Sequence, residues 1–113
     1  MAQYEHLPIY KKSMDLAVYV EQIVRVFSRY HKYSLGADLR QLSHSVLRLV
    51  IRANSQYQPQ VRLDTLLKLR ENLEELKVCM RLGKEIKAFN NVNTRFRSFL
   101  MQLLVAKLNL HFI

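Results

Sequence analysis

Cysteine, glycine, proline and tryptophan are all scarce in this sequence of 113 residues, which has one cysteine, two glycines, two prolines and no tryptophan. A single cysteine excludes an intramolecular disulfide, and this fits a reducing compartment. So few glycines and prolines leave little of the turn punctuation that a β-sheet protein needs. We therefore expect one all-α domain that spans residues 1–113, since a chain of this length forms a single hydrophobic core.

A long hydrophobic run is also absent. The longest apolar stretch, residues 99–110, is interrupted by Gln102, Lys107 and Asn109, and it is much shorter than the roughly 20 apolar residues of a membrane-spanning helix. The first twelve residues contain an acid and two lysines but not the apolar core of a signal peptide. The sequence thus predicts no membrane association and a cytoplasmic location.

Acidic residues are in the minority, with nine Asp and Glu against 18 Lys and Arg and a net charge of +9. Two stretches contain no acid at all: residues 39–63 hold four arginines, and residues 86–113 hold four further basic residues. Together these stretches supply eight of the nine excess charges. Basicity that is concentrated in this way favours a polyanionic partner, which is either a nucleic acid or an acidic protein surface.

Apolar residues recur every three or four positions in four segments, which is the spacing of amphipathic helices. The predicted helices run from Pro8 to about Arg29, from Lys32 to Asn54, from Arg62 to Lys87 and from about Asn93 to Leu110. Ser34 is expected to cap the second helix, and Pro59 is expected to lie in the link before the third. Short links join antiparallel neighbours, so we predict an antiparallel up-down-up-down four-helix bundle.

The fourth predicted helix is apolar on nearly every side. Phe96, Phe99 and Leu103 belong to a regular seam, but Leu100 and Leu104 extend the apolar surface well beyond it. In a four-helix bundle every helix keeps one outer face, so this excess predicts contact between subunits, with the broad apolar face of the first helix as its companion. We therefore expect a homo-oligomer.

The second predicted helix also carries a basic stripe. Arg40, His44, Arg48 and Arg52 follow one another at intervals of four residues. Residues at this spacing lie on one face of a helix. The stripe is therefore a candidate for contact with a polyanion.

Residues that could carry catalysis are few. The four histidines are dispersed, and the sequence has no HExxH motif, Cys/His pair, pair of carboxylates at metal-binding spacing or glycine-rich phosphate loop. We therefore expect no enzyme, with no catalytic residue, no metal and no cofactor. One alternative stays open, because Arg25 and His31 resemble the Arg-x-His pattern of some helical-bundle ribonucleases. In those enzymes the histidine acts on the ribose hydroxyl and the arginine stabilises phosphate charge without a metal.

Three segments carry a resemblance to a known family: KYSLGADLR (32–40), IRAN (51–54) and LEELKVCMRLGKEIK (73–87). Over residues 10–87 the chain resembles the four-helix-bundle family of the accessory variability determinant proteins of diversity-generating retroelements, which is related to the proteins encoded in intervening sequences of bacterial large ribosomal RNA. Its fourth predicted helix lacks the Gly-Trp segment with which the family often ends. The resemblance implies a ring-like homopentamer that binds nucleic acid and the reverse transcriptase of the retroelement, and that supports error-prone cDNA synthesis from a template RNA.

The same resemblance implies a basic surface that binds the phosphates of RNA or DNA. We predict that six residues on the second and third helices form this surface: Arg40, Arg48, Arg52, Lys77, Arg81 and Lys84. A second alternative stays open as well, in which an oligomeric basic scaffold binds an acidic protein and never contacts RNA.

Overall fold

The computed structural model describes residues 7–86 and 88, and this part of the chain is 86% helical and contains no strand. Its helices are α1 (Pro8–Arg25), α2 (Arg29–Lys32), α3 (Leu35–Ser55) and α4 (Pro59–Glu85). The three long helices, α1, α3 and α4, are the first three predicted helices, so the all-α class is confirmed for the described residues. The fourth predicted helix lies outside them. No helix in the described part is long and apolar enough to cross a membrane.

Helix α3 packs against both α1 and α4. Its buried apolar residues recur every three or four positions, as predicted: Leu35, Leu39, Val46, Leu49, Val50 and Ala53. Helix α4 supplies a seam of the same kind: Leu66, Leu69, Leu73, Leu76 and Met80. Because each square ångström of apolar surface removed from water contributes about 25 cal/mol, the two interfaces of α3 are a principal source of stability.

Helix α1 ends at Arg25, so the prediction that it reaches Arg29 is wrong. The amide of Phe27 donates to the carbonyl of Val24, three residues back, at 3.0 Å, which tightens the chain after the last regular turn. The Phe27 side chain is buried in the core. A separate single turn of helix, α2, begins at Arg29, after the three residues 26–28 that follow α1.

The starts of α3 and α4 bear on two further predictions. Ser34 occupies the N-cap position of α3, as predicted, and its carbonyl accepts from the amide of Asp38 at 3.2 Å. Its hydroxyl makes no cap hydrogen bond to α3 and donates to the carbonyl of Tyr30 at 3.0 Å. Pro59 is the first residue of α4 and not part of the link before it. Proline suits this position because the first residue of a helix needs no amide hydrogen and its φ is already helical.

Candidate nucleic-acid interface

The three predicted arginines of α3 lie on the side of the helix that faces away from the core. Arg40, Arg48 and Arg52 are all exposed, while Leu39 and Val46 on the opposite side are buried. Each step of four residues advances about 40° around an α-helix, so the stripe winds as it runs along α3. Its two ends therefore meet different surroundings.

At the α1 side of the stripe, Glu21 holds two of the basic side chains. Arg40 Nε donates to Glu21 Oε1 at 2.9 Å, and His44 Nε2 lies 3.0 Å from the same oxygen. The hydrogen bond from Arg40 is the largest cause that lowers the pKa of the Glu21 carboxyl; His44 lowers it too, while partial burial acts against both. Pairs this exposed contribute roughly 0–1 kcal/mol. Arg40 is thus partly neutralised at rest, yet a phosphate could compete for it.

Glu21 is a residue that the sequence-based prediction missed. It stands in the middle of the predicted first helix, where nothing marks it as different from other surface acids. The signal that could have found it is the interval of four between Arg40 and His44, because two basic residues on one face can share a single carboxylate.

A polar groove of about 550 Å³ lies between α3 and α4. Its lining residues come from both helices: Asp38, Gln41, Leu42, Ser45, Arg48, Asn72, Glu75 and Cys79. Asn72 Nδ2 donates to Ser45 Oγ across it. Asp38, Glu75 and Arg48 all line the groove, so its charge is mixed, although within the described residues Arg48 forms an ion pair with neither acid. Burial raises the pKa of the Cys79 thiol, and the negative charges of Asp38 and Glu75 raise it further.

The three predicted residues of α4 are also exposed, but they lie on a different side of the molecule. Helix α4 turns Asn72, Glu75 and Cys79 toward the groove. Lys77 follows Glu75 by two residues and Arg81 follows Cys79 by two, which places each about 200° further around the helix. Together with Lys84, they form a second basic face on the far side of α4. Among the described residues, Lys77 is the one of the three that takes part in an ion pair, with Glu74 Oε2 at 3.9 Å.

Comparison with models of protein families finds no match, and comparison with curated proteins finds none either. What the six residues can bind follows from their own positions. Within the described part of the chain, Arg48 and Arg52 take part in no ion pair, and no acid occurs between residues 39 and 63. Both guanidinium groups can therefore bind an incoming phosphate, and such contacts are short and often bidentate.

Arg25 and His31, the pair in the ribonuclease alternative, lie on separate helices. Arg25 is the exposed last residue of α1, and His31 is half-buried in α2. The imidazole packs edge to face with the ring of Tyr30, with the ring centroids 5.2 Å apart. Among the described residues, no three His, Cys, Asp or Glu side chains are grouped so that they could hold a metal ion.

Proposed function

We propose that the protein is a non-enzymatic accessory protein of a diversity-generating retroelement, which binds RNA or DNA and the reverse transcriptase and supports mutagenic cDNA synthesis. The observation that supports nucleic-acid binding is the end of the α3 stripe, Arg48 and Arg52, which is exposed, forms no ion pair with the other described residues and lies in a stretch of sequence that has no acid. The partner and the pathway rest on the resemblance of residues 10–87 to that family.

The mechanism of binding is electrostatic. Arginines neutralise phosphates and release the counterions that surround a nucleic acid, so the affinity falls steeply as salt rises. Arg40, which Glu21 already holds, adds less charge than Arg48 and Arg52. The second face, with Lys77, Arg81 and Lys84, gives each subunit another contact on another side. In an assembly of several subunits, individually weak contacts of this kind add up to a high avidity.

We further propose that the chain completes a four-helix bundle with its predicted fourth helix and assembles as a homopentameric ring. The apolar excess of residues 93–110 supports this proposal. A second support is the outer surface of α4, where several large apolar side chains are exposed: Leu63, Leu67, Val78, Leu82 and Ile86. A run of exposed apolar residues on one helix marks a surface that contacts another protein.

The mass of the purified protein in solution tests the assembly. Light scattering across a salt series is expected to give about five times the 13.5 kDa of one subunit. The mass is expected to persist at high salt, because apolar contacts hold the ring and salt does not screen them. A monomeric mass at all salt concentrations would refute the homopentameric ring. The exposed apolar residues of α4 would then have to contact a different protein.

Charge reversal on α3 tests nucleic-acid binding. Arg48→Glu with Arg52→Glu is expected to lower the affinity for RNA about tenfold or more, because two phosphate contacts are lost. Each lost contact is also expected to reduce the slope of log affinity against log salt by about 1. The measurement is fluorescence anisotropy of a labelled RNA over a range of salt. Lys11→Glu with Lys68→Glu is the matched control, because both lysines are exposed and the net charge changes equally.

The two double variants separate local from general electrostatics. Equal losses in both would show that the net charge of +9 acts, and not the α3 stripe. If RNA affinity stays unchanged while the α3 variant no longer captures its protein partner, the stripe binds an acidic protein surface instead. Circular dichroism confirms that each variant keeps its helices.

A further inference from the structure

The connection between α1 and α3 is basic, although the first third of the chain as a whole is nearly neutral. Residues 22–37 contain no acid and include Arg25, Arg29 and Lys32. Arg25 and Arg29 are exposed, and Lys32 is half-buried. Within the described residues none of the three takes part in an ion pair. This end of the molecule therefore presents a positive surface that is separate from the α3 stripe.

Two tyrosines on the same connection are largely exposed to solvent. Tyr30 is 83% exposed and Tyr33 is 76% exposed. Tyrosine rings are large and partly apolar, and they are typical of surfaces that bind a partner. Tyr30 lies in the single turn of α2, and Tyr33 follows its last residue with the backbone still in the right-handed helical region, so the two tyrosines stand about one turn apart on one side of the connection. Arg29 and Lys32 have the same spacing on the adjacent face.

The turn that carries these side chains is anchored at both ends. Phe27 before it and Leu35 after it are buried in the core. The amide of Lys32 donates to the carbonyl of Ser28 at 2.8 Å. The imidazole of His31 packs edge-on against Tyr30. The rings are thus displayed on a fixed backbone, which reduces the entropy that a ligand must remove on binding.

We propose that the α2 turn binds single-stranded nucleic acid, with unpaired bases stacked on Tyr30 and Tyr33 and phosphates held by Arg25, Arg29 and Lys32. Aromatic rings beside a basic track are how proteins hold single strands, because every base has a flat face to stack and every nucleotide has a phosphate. A duplex keeps its bases stacked on one another and cannot offer them to the rings. An acidic peptide could pair with the cations, but its acidic side chains offer the two rings no aromatic face of the size of a base.

This proposal rests on the proposed function, since it assigns the single-stranded part of nucleic-acid binding to a particular turn. It assigns nucleic-acid binding to two separate surfaces of the subunit. The α3 stripe binds phosphates whatever the strand state, whereas the α2 turn distinguishes a single strand from a duplex.

Three variants of the full chain test the assignment. Tyr30→Ala with Tyr33→Ala removes both rings, Tyr30→Phe with Tyr33→Phe keeps the rings without the hydroxyl groups, and Tyr57→Ala is the control. Tyr57 is 92% exposed in the link at the other end of α3, and residues 56–61 around it carry no charge. The probes are a labelled oligothymidylate and a labelled duplex of the same length, and the readout is anisotropy at fixed salt.

The alanine double variant is expected to lose about tenfold or more in affinity for the single strand, because base stacking on an aromatic ring is lost at two positions. Its affinity for the duplex is expected to stay within about twofold, since the α3 stripe is intact. The phenylalanine double variant and Tyr57→Ala are both expected to bind the single strand as the wild type does.

Four results would overturn the assignment. They are an unchanged single-strand affinity in the alanine double variant, an equal loss in Tyr57→Ala, an equal loss in the phenylalanine double variant, and an equal loss for the duplex. If the alanine variant instead loses binding only to vesicles that contain phosphatidylserine, the turn contacts a membrane surface. A wild-type protein that binds neither probe would refute the proposed function itself, which separates that failure from a failure of the α2 turn alone.

Discussion

Replacing Leu69 with alanine is expected to lower the free energy of unfolding by about 2–5 kcal/mol. Leu69 lies in the middle of α4 and has no exposed surface. Its side chain belongs to the seam by which α4 joins the core around α3. The alanine variant loses the transfer free energy of the removed carbon atoms and also leaves a cavity, because a packed interior relaxes only in part.

The neighbouring Leu67 provides the control. It stands in the same helix, two residues earlier, and its side chain is 47% exposed. Both substitutions change helix propensity by the same amount, so the difference between them reports burial alone. Leu67→Ala is expected to lower the free energy of unfolding by less than about 1 kcal/mol. Urea titration followed by circular dichroism measures the free energy of unfolding of both variants. Equal losses of stability would mean that α4 does not bury the side on which Leu69 lies.

The parts of the fold that the sequence predicts best are those with a strong apolar period. The buried residues of α3 and α4 follow the spacing of three and four that the leucines and valines set. That spacing decides which side of a helix turns inward whatever its neighbours are. The ends of the helices depend on other forces. Residues 26–32 are all acceptable in a helix, so nothing in their propensities predicts that α1 stops at Arg25.

The break after α1 is a tertiary effect. It lets the start of α3 approach the end of α1 closely, where Gly36 lies against Val24 and Phe27. Phe27 follows Ile23 by four residues and Val20 by seven, so a continuous helix would also keep it on the buried side, and the break serves the close approach of the two helices. The sequence holds the residues that profit from the break, but only the packing of α1 against α3 shows the benefit.

For the candidate interface, the sequence predicts which helix is basic but not what each side chain meets. Arg40 pairs with Glu21 because of the rotation of α1 about its own axis, and the basic residues of α4 point away from the groove because of the side on which α4 meets α3. The basic turn at α2 is hidden for a different reason. The charges of residues 1–38 sum to nearly zero. This sum conceals the basic run, because the acids lie before residue 22 and at Asp38, outside it.

Gly36→Val is expected to destabilise the protein by about 2–3 kcal/mol, because the close approach of α1 and α3 leaves no room for a side chain. A Cβ atom at Gly36 would lie 2.8 Å from Val24 Cγ1, 3.3 Å from the carbonyl oxygen of His31 and 3.4 Å from Phe27 Cδ2. Val24 and Phe27 are buried, and the third neighbour is backbone, so none of them can move aside cheaply. Ala37→Val, at the adjacent half-buried position, is expected to cost less than about 1 kcal/mol of helix propensity.

A second substitution shows whether the contact with Val24 is the cause. Val24→Ala alone is expected to lower the free energy of unfolding by about 1–3 kcal/mol through the cavity that it leaves. Combined with Gly36→Val, it returns volume to the same interface from the other helix. The two costs are therefore expected to fall short of additivity by about 1 kcal/mol or more, as measured by urea titration of all four proteins. Strict additivity would refute the contact. A shortfall would show that the close approach of α1 and α3 requires glycine at position 36. The carbonyl oxygen of His31 would lie 3.3 Å from the same Cβ atom, so the α2 turn packs against this contact as well.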